Sequence, residues 1–397
     1  MRKHRRVAYS FDLNLPYKRH SGVFVGAQQY AQEHDWETVI NDYVAETLLN
    51  DPKPELLYDG IVGRISPRLA KVAKRFRVPI VNTWFSSPAR EKLPGVFYDA
   101  RALGKMIAEH LLARGLRRFA VLTHNDLAKL RTTEAFCDVI KAAGFPCEVV
   151  RLPLSPEDSY ALWEKMEGQI KCWMKDWQVP IGVSICREDL GRIVTQLCRL
   201  RGWHVPHDVA IVAGLNEEVL CNHPQPSLSS PEVGYERIGY EAAHMLDKLM
   251  NARGKRSNKS HAINKPKHLF LQPKGLIVRQ STDFFAVEDE LVSRALQFIA
   301  ANSHKGINGK TVAKALAMHP RTLERHINAA ANRSIAAEIR RVRIEHAKRL
   351  LADSKLSLSE IALQVGFSDR MRLYEVFCRD VVITPSRYRK QRVIEIR

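Results

Sequence analysis

Arg321, Thr322 and Arg325 share one face of a short helical pattern, and Arg370, Arg372 and Tyr374 share a second about fifty positions later. A guanidinium offers a planar fork of donors that can bond both major-groove acceptors of a guanine, and threonine or tyrosine hydroxyls can meet bases or phosphates. His319 and Met371 lie beside these residues and complete the candidate DNA-contacting set. The chemistry suggested is recognition of a duplex rather than bond making. A solvated helix face is the plain alternative for any one of these side chains, and their repetition argues against it.

The repetition extends to the residues that would position these faces. Ala313, Leu316, Leu323 and Ile327 are echoed by Ala362, Val365, Leu373 and Phe377. Each copy reads as a short amphipathic helix, a tight turn and a second helix with a basic outer face, which is a helix-turn-helix. The first unit is expected over about 309–329, turning at Met318-His319-Pro320, where proline suits the first turn of the next helix. The second is expected over 357–379, opening on a Ser357-Leu-Ser-Glu360 capping box and turning at Gly366, with Phe367 plugging the core. A helix over 334–352 joins them. About 19 residues at a 1.5 Å rise span about 28 Å, near the roughly 34 Å between successive major-groove faces. A packing helix over 291–301 precedes both units. Glu375 has three open roles: accepting from cytosine, pairing with a neighbouring arginine, or facing water.

The 397 residues, 45% hydrophobic and 26% charged, describe a folded chain too long for one ordinary core. Of the formal net charge of +19, residues 285–397 supply a disproportionate share, with 21 Lys and Arg against 12 Asp and Glu. Such an excess suits an anionic partner. No run of 18 apolar residues appears, so no membrane span is expected. The basic opening Met1-Arg-Lys-His-Arg-Arg6 leads into an apolar stretch broken by Asp12 and Asn14, which predicts a cytoplasmic protein rather than an exported one. Seven cysteines without a C-x-x-C pair read as reduced thiols, so neither a metal site nor a cofactor is expected.

Residues 6 to about 284 alternate short apolar strands, near 7–11, 60–63, 79–82, 118–122, 148–152, 181–185, 209–213 and 269–271, with amphipathic helices over 23–33, 67–76, 100–114, 134–143, 190–201 and 238–250. That alternation predicts parallel sheets with helices on both faces, and ligands bind such sheets at the carboxyl ends of their strands. The polar, basic stretch 253–268 reads as a solvated loop. The predicted domains are an α/β domain over 1–284 and an all-α domain over 285–397.

Within the second domain, Ser359-Glu-Ile-Ala362, Gly366-Phe-Ser-Asp369, Leu373-Tyr-Glu-Val-Phe377 and Thr384-Pro385-Ser-Arg-Tyr388-Arg389 together resemble the signature of AraC/XylS-type bacterial transcription regulators. Glu375 and Cys378 stand where basic residues are usual in that family, and Val381-Val382 replaces a glycine-containing turn. The first domain resembles the LacI/GalR sugar-sensing domain, a two-lobed periplasmic-binding-protein-like fold. Arg201-Gly-Trp-His-Val-Pro206, Val205-Pro-His-Asp-Val-Ala-Ile211, Pro226-Ser-Leu-Ser-Ser230 and Leu276-Ile-Val-Arg-Gln-Ser-Thr282 carry this likeness, and Tyr17-Lys-Arg19, Gly22-Val-Phe-Val-Gly26 and Tyr30 support it.

These resemblances imply a regulator that binds double-stranded DNA and a small-molecule effector, most simply a sugar such as xylose or a related pentose. They further imply a homodimer and, for an activator of a carbohydrate-use operon, contact with RNA polymerase. By the same resemblance Asn14, Tyr17, Arg19, Arg131, Glu188 and Asn216 would line the effector cleft, the plain alternative for each being a cap or a surface charge. Leu215 stands where relatives place an acidic residue that grips sugar hydroxyls. Two alternatives stay open. One is a non-sugar effector; the other is a Cys-dependent amidase-like enzyme using Cys186, although no partner histidine follows in a recognisable context.

Overall fold

The computed structural model of the chain describes residues 4–13, 17–153, 160–254, 267–283, 290–331, 333–354 and 356–394. It divides into two units, Met1–Asp283 and Phe284–Arg397.

The first unit holds two parallel sheets. The N-terminal lobe is six-stranded, ordered His268–Leu271, Gly95–Tyr98, Ile80–Asn82, Gly60–Gly63, Arg6–Ser10, Glu37–Ile40. The C-terminal lobe is four-stranded, ordered Cys147–Leu152, Phe119–His124, Ile181–Ile185, Val209–Ala213. Every pairing within these two sheets is parallel. Central strands such as Gly60–Gly63, Phe119–His124 and Ile181–Ile185 are buried along their whole length, because helices cover both faces. This is the α/β architecture that the strand–helix alternation predicts. Among the described residues the chain crosses between lobes three times: after Tyr98, at Ser230–Glu232 on the way to helix Tyr235–Gly254, and at Gly275–Ile277, which pairs antiparallel with Ser230–Glu232.

Several elements depart from expectation for physical reasons. Glu37–Ile40 is an edge strand with no buried residue, so it shows no inward alternation to read. Helix Leu127–Ala142 starts seven residues before the expected 134, because the Asp126 carboxylate caps the backbone N–H groups of Ala128 and Lys129 while Leu127 stays exposed. Strand Gly95–Tyr98 and helices Val44–Asn50, Tyr160–Trp173 and Pro385–Ile394 are additional to the expected set. Residues 255–266 of the expected basic loop lie outside the described residues.

The described residues of the second unit are helical and form two small cores. Val292, Leu296, Ile299, Val312, Leu323 and Ile327 form the first, and Ile361, Val365, Phe367, Leu373, Val376 and Phe377 the second. Helix Ile335–Asp353 serves both: Ile335 and Ile339 enter the first core, and Ile344, Ala347 and Leu351 the second. Local chemistry sets its neighbours. Asn308 and Thr311 form one capping box, Ser357 and Glu360 another, and Ser334 and Asp369 cap two further helices. Glu338 is buried between Arg333 and Arg341, at 3.0 and 2.7 Å, and so ties the front of the long helix to the segment before it.

Candidate effector cleft and DNA-reading faces

A cavity of about 670 Å³ opens between the lobes of the first unit, at the carboxyl ends of both sheets. Residues directly beyond strand ends line it: Arg64 after Gly60–Gly63, Thr83 and Trp84 after Ile80–Asn82, Asp126 after Phe119–His124, and Cys186 and Arg187 after Ile181–Ile185. A parallel sheet leaves its terminal carbonyls and following loops on one side, so polar side chains of separate strands converge there.

The N-terminal wall is cationic and aromatic. Arg19 packs over the Tyr17 ring and Arg64 over the Trp84 ring, each guanidinium carbon 4.6 Å from the ring centre. Both guanidiniums also meet one atom: Arg19 Nε and Arg64 Nη1 donate to His20 Nε2 at 3.1 and 3.3 Å. The other ring nitrogen of His20 donates to the Phe11 carbonyl, which leaves Nε2 as the acceptor. Burial, reinforced by the two arginines, pushes the imidazole pKa below its usual value, so His20 is the neutral pivot of a cationic pair. Burial likewise lowers the pKa of Arg64, with Arg19 adding repulsion.

The C-terminal wall carries the carboxylates, and each is engaged in the frame. Asp126 caps a helix, Asp189 pairs with Arg187, and Glu217 accepts the Lys18 backbone N–H at 2.9 Å from across the cleft. Glu188 is buried and accepts from the backbone N–H groups of Leu215 and Glu217 at 2.7 and 2.9 Å. It can lie there because residue 214 is glycine at φ +66°; an added Cβ would sit 1.8 Å from the Glu188 carboxyl carbon. His124 also lines this wall. Its Nδ1 faces the Leu152 carbonyl at 3.3 Å, while its Nε2 is buried with no hydrogen-bond partner among the described residues.

The sequence-derived residues distribute unevenly over this geometry. Tyr17, Arg19 and Glu188 line the cavity. Arg131 does not; it is exposed on helix Leu127–Ala142 and pairs with Glu134 at 3.1 Å. Asn216 is fully buried, at φ +64°, and bonds Ser230, Glu232 and Arg279 at 2.7 to 2.8 Å, which makes it a tie between the interlobe strands and not part of the lining. Asn14 lies outside the described residues. Sequence reasoning passed over His20, Arg64, Trp84, His124 and Lys129, although taking the residues just past each buried strand would have found Arg64 and Trp84. Cys186 is in the cleft, but burial drives its thiol up to about 11, opposite to the activation a nucleophile needs.

In the second unit the reading helices are Pro320–Ala331 and Arg370–Val381. On the first, Leu323 and Ile327 face inward, Arg321 and Arg325 are exposed and Thr322 is half-buried. His319 precedes the helix and accepts from the Arg321 N–H at 3.3 Å. Glu324 turns away from that face and accepts from the Ile335 N–H at 3.3 Å, capping the long helix. On the second, Arg370, Met371, Arg372 and Tyr374 are exposed and Leu373, Val376 and Phe377 are buried. Glu375 takes one of its three open roles here, pairing with Arg372 at 3.2 Å.

Comparison with known proteins gives a consistent picture. A family described as periplasmic binding protein-like domain matches residues 108–282, and one described as helix-turn-helix domain matches residues 312–391. The xylose operon regulatory protein of Escherichia coli (strain K12) is 25% identical over 98% of this chain and 97% of its own length. The protein of the same name from Haemophilus influenzae is 25% identical over 97% and 98%. A solved structure described as the xylose-binding transcription activator xylR shares the fold, with a TM-score of 0.68 at 22% identity over 98% of both chains. The chain thus resembles AraC-type xylose operon regulators along its whole length. It is built as a transcription regulator, with a sensor domain and a helix-turn-helix DNA-binding domain, and these relatives are regulators, not enzymes.

Proposed function

We propose that the chain controls transcription in response to a small hydroxylated metabolite held between the lobes of its first unit, a sugar such as xylose or a related pentose being the simplest case, and that it activates a carbohydrate-use operon. The observation that carries this reading is the coexistence in one chain of an interlobe cleft at strand carboxyl ends and two helix-turn-helix units with arginine-bearing outer faces. Tyr17, Arg19 and Glu188 serve the cleft; His319, Arg321, Thr322, Arg325, Arg370, Met371, Arg372 and Tyr374 serve the duplex. A ligand bridging the two walls favours the closed arrangement only by its differential affinity for that arrangement, and this difference is the energy available for control. The relatives' names support a sugar effector, and a homodimer that recruits RNA polymerase in the cytoplasm completes the proposal.

The test is a gel-shift titration of the full chain against a duplex selected from random sequence, with and without D-xylose. Control by a sugar of this kind predicts a change in apparent affinity of about tenfold, or about 1.4 kcal/mol of coupling. An affinity indifferent to every pentose and hexose offered would remove the sugar from the proposal.

A further inference from the structure

The charge in the cleft is not mixed evenly; it is sorted by wall. Arg19 and Arg64 on the N-terminal wall have no carboxylate partner among the described residues, and both converge on a single neutral acceptor, His20 Nε2. Each lies over an aromatic ring, so neither is a freely moving surface charge. Two like charges brought together beside a buried imidazole repel, and Asp12 and Asp126 offset the repulsion on Arg64 only through space, without a hydrogen bond to it among the described residues. The acidic groups that line the cavity lie on the opposite wall and are spent on backbone caps and the Arg187 pair. Lys129 sits on that wall as well, its Nζ donating to the Cys186 carbonyl at 2.8 Å without a carboxylate partner among the described residues. A neutral polyol would leave both guanidiniums unneutralised when the cleft closes and water is excluded. An oxyanion would bond both forks at once, the geometry in which arginine holds carboxylate and phosphate best.

We propose that the effector is an anionic sugar derivative whose carboxylate or phosphate group seats against Arg19 and Arg64, with its hydroxyls directed to the C-terminal wall. This rests on the reading of the cleft as the effector site and specifies the ligand class it takes.

The test uses matched pairs on the full chain, by calorimetry with thermal shift as a second readout: D-xylose against D-xylonate, and D-ribose against D-ribose 5-phosphate, with inorganic phosphate as a control for bare charge. At least one anion of a pair should bind about tenfold or more tighter than its neutral partner, and that preference should weaken with added salt. Which pair shows it separates carboxylate from phosphate. In Arg64→Gln and in Arg19→Gln the preference should collapse, the anion losing about tenfold more affinity than its neutral partner loses. A merely structural arginine would weaken both members of a pair alike. Neutral sugars binding as tightly as their acids or phosphates would overturn the proposal and leave the sensor reading intact. An anion preference unchanged in both variants would overturn it as well. No response to either class up to about 10 mM would overturn both, since a ligand present well above its Kd must raise the melting point.

Discussion

The two helix-turn-helix units share a plan but differ in their turns and in the charge they show to solvent. In the first unit the turn residue is Ala317 at φ +53°; at the matching place in the second it is Gly366 at φ +90°. On the first reading helix, Arg321 and Arg325 have no carboxylate partner among the described residues, and the one acid, Glu324, is drawn off to cap the next helix. On the second, Arg372 is matched by Glu375 and Arg379 by Asp380. The first face is therefore bare cation and the second is partly neutralised. Base discrimination should accordingly concentrate in the first unit, with the second contributing placement along the duplex.

The turns give the largest expected effect. An added Cβ at Gly366 would lie 2.5 Å from the Ser303 carbonyl oxygen and 3.0 Å from backbone atoms of His304. Gly366→Ala should therefore destabilise the second unit by roughly 2–4 kcal/mol, combining left-handed strain with backbone overlap. Ala317→Gly should cost nothing and could gain up to about 1 kcal/mol by relieving strain at a position that already carries a Cβ. Chemical denaturation of both variants checks this, and equal losses would mean that the two turns are equivalent after all.

The reading faces come next. Arg321→Ala and Arg325→Ala should each cost about 1–3 kcal/mol of specific DNA affinity, measured by anisotropy on a selected duplex. Arg372→Ala should cost less than about 1 kcal/mol, since its exposed pairing with Glu375 must be given up before it can reach a base. Losses of the same size at all three positions would erase the difference between the units.

A second contrast separates the sensor from the reader. His110, on helix Ala100–Leu112, is held by burial at a pKa of about 3 while its Nε2 meets the Thr282 hydroxyl at 2.8 Å. The unfolded chain takes up a proton below about 6.5, and the folded sensor does not until near 3. Stability from this group is thus complete above about 6.5 and is lost as pH falls toward 3, amounting to about 2 kcal/mol at pH 5. The first unit should melt progressively lower from pH 7 to 5, and His110→Gln should flatten that slope. An unchanged slope in the variant would assign the acid sensitivity to other groups. The smallest effect is expected from Glu375→Gln, which frees Arg372 and should strengthen DNA binding by about 0.5 kcal/mol, with a steeper salt dependence.

What could be read in advance follows from the range of the interactions involved. The Ser357–Glu360 capping box, the Gly366 turn and the inward faces of the reading helices depend on neighbours within a few positions, and they appear in the structure as the sequence predicts. The α/β class was legible for the same reason, because buried strands such as Ile181–Ile185 announce themselves by composition. The cleft was not. Arg64 acquires its role from His20, 44 positions away, and Asn216 is drawn out of the lining by Arg279, 63 positions away. Glu188 resembles a cap by sequence, yet its oxygen serves backbone N–H groups more than 25 positions further on.

The central claim, that two helices of the second unit read duplex sequence, is tested most directly by selecting random duplexes with the full chain and comparing the motif with that chosen by the Arg321→Ala, Arg325→Ala double variant. The account predicts a motif with two elements about one helical turn apart, roughly 10 base pairs, one of which loses its preference in the variant while the other persists. Enrichment of no motif, or of a motif that the double variant selects unchanged, would contradict it.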